Sequence, residues 1–503
     1  MSSVKTRYEQ YTKELRQIAD YNAAVALLHW DSEVNAPRKG ASFRSQQIAT
    51  LAAAAHQLAT SDQLGQLLED LYAVRAQLSE QEARNVAISL DDYHKATKLP
   101  TEFVRQFAKA RSEAYQAWVA AREANDFQRF VPALSALIDL QRQKTRLMGF
   151  KDHPYNALLD EYEQGATVSQ LDPLFAQVRS ELSQFARQLQ QEGKATDDAF
   201  LRQSFDKDAQ WNYGIELLKN MGYDFEAGRQ DRSVHPFTVT FSPLDVRVTT
   251  RIDEHNPMSM IGTCIHEGGH ALYEQGLPQE QYGLPLGAAV SLGIHESQSR
   301  VWENNVGLSR AYWQHHFPAF KAAFPTQFDG CDVETFYRAI NQVAPNFIRV
   351  EADELHYHLH VLVRYELEKA LIEGSLEVAD LEKAWNAKYK ELLNVDVPDA
   401  LRGVLQDVHW CEGLMGYFPT YSLGSFYAAQ FFRKACETHP TLPQEIAAGD
   451  SSKFLQWTRQ HLHQYGRAYS PQELCQRATG EPLNVQYFLD YIRAKYSEIY
   501  SLS

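Results

Sequence analysis

"CIHEGGHALYEQG", residues 264–276, holds a contradiction whose resolution decides the fold. Its apolar spacing is helical, yet Gly268 and Gly269 stand side by side in the interior, and each costs a helix about 1 kcal/mol relative to Ala. Asn256 can cap such a helix, Pro257 suits its first turn and Gly276 its stop, so the spacing predicts a helix over 257–275. His266 and His270 are then one turn apart and share a face. At about 100° per residue, Glu267 lies roughly 80° to one side of their mean direction and Gly269 about 80° to the other, with Gly268 nearly opposite. The pattern is H-E-x-x-H, in which two histidines bind zinc and the glutamate between them is the general base. On this reading Gly269 leaves the flank open for a substrate or a neighbouring strand, and Gly268 lets another helix pack close behind. The alternative is a pair of helix-face histidines hydrogen-bonded in a core.

A catalytic zinc needs a third protein ligand and one open position. "GIHESQSRVWENN", residues 293–305, supplies His295 and Glu296. Against Glu296 stands the reading of an acid in the first turn of a helix, where the dipole favours it. "ELHYHLH", residues 354–360, repeats the histidine spacing at His356 and His360. It lacks a glutamate directly after the first histidine, so it offers ligands without a base and reads as a polar cleft wall.

Outward from this stretch, amphipathic helical patterns dominate. "VKTRYEQYTKELRQIADYNAAVALLHW" opens the series, and others cover about 42–59, 79–97, 101–124, 129–147 and 169–192. Ser79 with Glu82 and Ser470 with Glu473 have capping-box spacing. One segment breaks the period: "HPFTVTFSPLDVRVTTRI", residues 235–252, alternates β-branched residues about Ser242-Pro243 and reads as a hairpin. The expected fold is mainly α, one helical body over 1–503 with a small antiparallel β-sheet just before the histidine helix. The N-terminal helices, about 1–150, are expected to wall or lid a groove.

Composition narrows the function classes. No apolar run approaches a membrane span, and the N-terminus "MSSVKTRYEQYTKELRQ" lacks the apolar core of a secretory signal. The five cysteines are scattered and form no CxxC pair, which suggests neither a disulfide framework nor a cysteine metal knuckle. With 49 Lys+Arg against 64 Asp+Glu, the net charge of -15 argues against a nucleic-acid partner. A cytoplasmic protein that engages neither membrane nor nucleic acid is the expectation.

The ordered motifs resemble those of the carboxypeptidase Taq family of zinc metallocarboxypeptidases. "HEGGHALYEQG" is followed by "HESQSR". Around them stand His235-Pro236-Phe237, "DVRVT" (Asp245 to Thr249), "IRVEAD" (Ile348 to Asp353), "GVLQDVHW" (Gly403 to Trp410) and "YSLG" (Tyr421 to Gly424), in the family's order. The resemblance implies a helical body split by a deep groove with zinc at its floor. It makes His266, His270 and Glu296 the ligands of one zinc ion per chain, for which cobalt can substitute. It also implies a homodimer acting on peptides with a free C-terminus, of broad specificity that disfavours C-terminal proline.

Zinc would lower the pKa of its bound water and polarise the scissile carbonyl, with Glu267 as general base and later proton donor to the leaving amine. An exopeptidase also needs a cation for the substrate's terminal carboxylate, and Arg349 is the candidate, since a guanidinium grips a carboxylate with two parallel hydrogen bonds. The alternative is a surface ion pair with Asp353 at i+4. Arg247 is a second cation, with a structural salt bridge as its alternative. His235, His409 and Tyr421 are candidate donors to the oxyanion or the substrate backbone, and the hairpin could pair with an extended substrate. Two other classes stay open: a zinc endo- or oligopeptidase without a carboxylate clamp, and a non-catalytic helical scaffold.

Overall fold

Capping and periodicity place most of the helices where the sequence puts them. The computed structural model describes residues 3–193 and 197–502. Its N-terminal series comprises helices Val4–Val34, Ala41–Ala59, Asp62–Ala73, Glu80–Thr97, Thr101–Ala124 and Val131–Met148. Ser79 with Glu82 and Ser470 with Glu473 form reciprocal capping boxes, and a third, Thr167 with Gln170, starts the helix Val168–Glu192. Among the described residues no helix is long and apolar enough to cross a membrane.

Among the described residues two hydrophobic clusters form. Tyr11, Leu64, Leu67, Leu68, Leu71, Val86 and Leu90 bury themselves with Leu284 in a small separate core. Ala114, Leu134 and Leu137, from the next two helices, belong instead to the large core that surrounds the histidine helix. A separate core is therefore shared by residues up to Leu90 together with Leu284, whereas the helices Thr101–Ala124 and Val131–Met148 pack into the large one.

The sheet is mixed, which corrects the expected antiparallel one. Strands β2 (Thr238–Ser242) and β3 (Asp245–Thr250) form the hairpin, antiparallel with Val239 opposite Arg247. A further strand, β1 (Gly228–Arg232), pairs parallel with β3, in the order β1-β3-β2. Its sequence, "GRQDR", has no β-branched alternation, so periodicity carries no sign of it. Val246 and Val248 of β3 are buried, and Thr250 hydrogen-bonds Thr263 of the histidine helix at 2.8 Å.

The histidine helix runs from Pro257 to Glu274 behind an Asn256 cap, and the glutamate helix from Leu292 to Arg300 behind a Ser291 cap. The latter continues as a π-helix, Val301–Gly307. The two interior glycines each answer to a neighbour. A Cβ on Gly268 would meet Leu218 Cδ2 at 2.7 Å and Met221 Cε at 3.0 Å, on the helix Lys207–Met221. A Cβ on Gly269 would meet the carbonyl oxygen of Gln298 at 2.5 Å and Ser299 Cα at 2.7 Å. The first follows the sequence reading. At the second the flank is closed by the backbone of the glutamate helix, where substrate or a strand was expected.

Gly262, in the same helix, has nothing within 4 Å of its would-be Cβ. Gly269→Ala should therefore lower the thermal unfolding midpoint, by an overpacking cost of about 1–3 kcal/mol. Gly262→Ala should raise it, by up to about 1 kcal/mol of helix propensity. Scans at one heating rate check this, and a Gly269→Ala protein as stable as the parent would mean that the two helices are free to separate.

Candidate metal centre

The close approach at Gly269 carries Glu296 onto the histidine face. Its Oε2 is 3.8 Å from Nε2 of His266 and 3.6 Å from Nε2 of His270. One ligand atom from each of the three residues lies within 4.8 Å of the others, a spacing that suits one ion bonded at about 2.0–2.2 Å. Two imidazole nitrogens and a carboxylate oxygen have the composition of a three-ligand zinc set.

Outer partners hold each donor. His266 Nδ1 donates to Glu303 Oε2 at 2.8 Å; a carboxylate only accepts, so Nδ1 carries a proton, and in the neutral ring Nε2 is the bare nitrogen toward Glu296. Glu296 Oε1 accepts from Arg300 Nε at 2.7 Å and Oε2 from Ser299 Oγ at 3.2 Å. Arg300 also reaches Glu303 at 3.1 Å and stacks over Tyr357 with its guanidinium carbon 4.6 Å from the ring centroid. Glu303 and Arg300 were not among the sequence candidates. Their signal is position: Glu303 is two turns beyond Glu296, on the π-helical segment, and such segments recur at functional sites.

Burial and charge act against each other here. Burial disfavours a charged His266, but Glu303 and Glu296 outweigh it and push its pKa up to about 9. Burial, reinforced by His295, brings His270 down to about 3. Burial would raise Glu296, yet Arg300 and His266 hold it well below the usual carboxylate range. With no ion between them, charge on His266 is thus balanced by the carboxylates of Glu303 and Glu296.

Glu267 is 8 % exposed and stands beside the metal-facing direction. Its Oε2 accepts from Thr238 Oγ1 at 2.6 Å, and Thr238 Oγ1 also lies 3.0 Å from the Glu267 carbonyl oxygen. Burial pushes its carboxyl pKa up, partly offset by His266 and Thr238. What the hairpin contributes to this site is therefore Thr238, a residue the sequence reading passed over. His235 is exposed in the turn before β2 and makes no side-chain hydrogen bond among the described residues.

A second polar cluster adjoins the first through Tyr357. Arg349 is 5 % exposed. It donates to Asp407 Oδ1 from Nε at 3.0 Å and from one terminal nitrogen at 2.9 Å, and to Tyr357 Oη at 3.0 Å from the other. The ion pair with Asp353 does not form. Asp353 instead binds His356 Nδ1 at 2.7 Å and caps the helix His356–Glu373. Asp407 is shared with Arg364, whose terminal nitrogen is 2.7 Å away. Burial would raise the Asp407 carboxyl, but Arg364 and Arg349 hold it well below the usual range. Asp407 lies in the "GVLQDVHW" block, and only its place in that block could have pointed to it.

Tyr421 joins this cluster: the Arg349 guanidinium carbon is 5.1 Å from its ring centroid, and its hydroxyl is 3.2 Å from His409 Nε2. Burial lowers His409 to about 4, so it is neutral near pH 7. Arg247 stands apart. It makes a bidentate pair with Asp245, both distances 2.8 Å, and lies 4.4 Å above the Trp30 ring centroid. His356, His358 and His360 are buried and bonded to Asp353, Ser422 and Tyr389.

Comparison with known proteins bears on this arrangement. A family model described as carboxypeptidase Taq (M32) metallopeptidase matches residues 10–496. Carboxypeptidase 1 of Bacillus subtilis is 38% identical, over 99% of this chain and 100% of its own length. Thermostable carboxypeptidase 1 of Thermus thermophilus is 41% identical, over 98% of this chain and 99% of its own. The crystal structure of an M32 carboxypeptidase from Deinococcus radiodurans R1 matches with a TM-score of 0.97 and 40% identity, covering 99% of this chain and 100% of that one.

The donor set leads to a first measurement on the metal. The purified protein should carry about one divalent ion per chain, and a His266→Ala, His270→Ala double variant should carry none. Elemental analysis of both, after gel filtration, decides it. Full metal content in the double variant would place the ion elsewhere.

Proposed function

The chain belongs to the carboxypeptidase Taq metallopeptidase family, and on that premise we propose that it removes single residues from the free C-terminus of peptides with one zinc ion held by His266, His270 and Glu296. The observation that carries this reading is the convergence of the three donors within 4.8 Å of one another. When bound, zinc supplies a Lewis acid that polarises the scissile carbonyl and makes a water nucleophilic near neutral pH. The same ligand set accepts cobalt. Specificity is broad and disfavours C-terminal proline.

Glu267 is the general base. One of its oxygens is fixed by Thr238, which holds the carboxylate beside the metal face. Burial raises its affinity for a proton, which suits a group that takes one from the attacking water and passes it to the departing amine.

Arg349 receives the substrate's terminal carboxylate. A guanidinium has five N–H donors. The contacts to Asp407 and Tyr357 engage three of them. One N–H then remains on each terminal nitrogen, and each can donate to a carboxylate. Asp407, itself held by Arg364, fixes the direction of the fork. His409 and Tyr421 stand beside it as donors to the substrate. The N-terminal helices, about 1–150, wall or lid the groove.

Two variants test the assignment. Glu267→Gln should keep its metal and lose about 10²–10⁴-fold in turnover. Near-parental turnover in the metal-loaded variant would exclude Glu267 as the base.

Arg349→Ala addresses the clamp separately from the metal chemistry. Losing one partner of a buried charge pair costs about 2–5 kcal/mol, or roughly 30- to several-thousand-fold in kcat/KM on free-acid peptides. Slow cleavage of C-terminally amidated peptides should hardly change. The decisive quantity is the free-acid to amide ratio in a folded, metal-loaded protein. An unaltered ratio would leave an endo- or oligopeptidase without this clamp, with Arg247 as the next cation to test.

A further inference from the structure

The two histidines of the metal set are supported differently. His266 meets a carboxylate directly, at Glu303. His270 turns its Nδ1 to a second imidazole: His295 Nδ1 is 2.6 Å away. The other nitrogen of that ring, Nε2, is 2.8 Å from Glu274 Oε1. Glu274 is one turn beyond His270 on the same helix, and His295 directly precedes Glu296 on the other. All three groups are sheltered, with side-chain exposures of 15% for His270, 21% for His295 and 13% for Glu274.

The chain of donors and acceptors has only one consistent assignment for neutral rings. A carboxylate can only accept, so His295 Nε2 must carry the proton it shares with Glu274. A neutral His295 then has a bare Nδ1, which can only accept. His270 Nδ1 must therefore be the donor, and His270 Nε2 is left with its lone pair facing Glu296 Oε2 at 3.6 Å. This is the tautomer a metal ion needs at Nε2.

We propose that Glu274 and His295 are positioning residues that set His270 in its metal-binding tautomer before any ion arrives. The proposal rests on the assignment of His266, His270 and Glu296 as the ligands. Neither Glu274 nor His295 is one of the three candidate ligands. Their effect passes wholly through His270 Nδ1, Glu274 acting on His295 and His295 on His270. The dipeptide His295-Glu296 thus supplies both a ligand and the orienter of another ligand from one turn of helix.

The experiment is zinc affinity of the full chain, stripped of metal and titrated with zinc against a chromophoric chelator. His295→Leu removes the acceptor and should weaken zinc binding about 10–100-fold, the usual effect of losing such an outer partner. His295→Asn places its amide oxygen where Nδ1 stood and should bind zinc nearly as the parent does. If His295 served only to fill space, Leu would be the milder change. Glu274→Gln should weaken binding in the parent, because an amide can donate as well as accept and no longer dictates the direction. In the His295→Leu background it should cost nothing further, since the link to His270 is already cut. Equal losses for Leu and Asn, or additive losses in the double variant, would overturn the proposal.

A direct readout needs no variant. Nitrogen-15 resonances of His270 in the zinc-free parent should show the proton on Nδ1, and a proton on Nε2 would refute the proposal outright. Should the parent bind no zinc at His266, His270 and Glu296, the ligand assignment itself fails. Should it bind there with unchanged affinity in His295→Leu, only the positioning role fails.

Discussion

The approach of one helix to another, closer than side chains allow, is the constraint from which the rest follows. The glutamate helix lies against the histidine helix where Gly269 would place a Cβ 2.5 Å from the Gln298 carbonyl oxygen. On its other side Gly424, in the helix Phe418–Thr438, would place one 2.5 Å from Glu296 Cγ. Glu296 is gripped between two helices that each give up a side chain to admit it. Behind the histidine helix, Gly268 does the same for Leu218 and Met221. Helix propensity opposes every one of these glycines by about 1 kcal/mol. Close packing on three sides restricts where the two imidazoles and the carboxylate can sit, and a ligand set requires such restriction.

Charge is arranged in layers about this core. Glu296 faces the histidines, Glu303 and Glu274 stand behind them, and Arg300 joins Glu296 to Glu303. A neighbouring layer repeats the logic with the signs exchanged: one carboxylate, Asp407, serves two guanidiniums, Arg349 and Arg364. Buried charges are costly unless paired and hydrogen-bonded. Each is met here by partners that also dictate its orientation, so that electrostatic satisfaction and geometry are achieved together. Tyr357 is the seam between the layers, bonded to Arg349 and covered by Arg300.

Much of the fold is written locally. Caps and apolar spacing mark the helices because both signals sit within a few residues of the feature they specify. The hairpin about Ser242-Pro243 is legible for the same reason. Strand β1 is not, because the polar run "GRQDR" becomes a strand only through pairing with β3. The extent of the N-terminal unit is likewise a matter of which side chains share a core. Helices Glu80–Thr97 and Thr101–Ala124 have similar amphipathic patterns, yet they bury Val86 and Ala114 in different clusters.

The sequence by itself determined the histidine helix, its two imidazoles on one face and Glu267 to one side, since helical spacing alone fixes those directions. It offered Glu296 on a second helix and Arg349 in the "IRVEAD" block as candidates, with a bland alternative beside each. Only the tertiary structure brought Glu296 within 3.8 Å of His266, and only it exchanged Asp353 for Asp407 as the partner of Arg349. It alone showed which side chains meet these: Thr238 on Glu267, Glu303 on His266, and His295, itself bonded to Glu274, on His270. Those partners are set by which backbones can approach, and sequence spacing cannot state the distance between two helices that touch through a missing side chain.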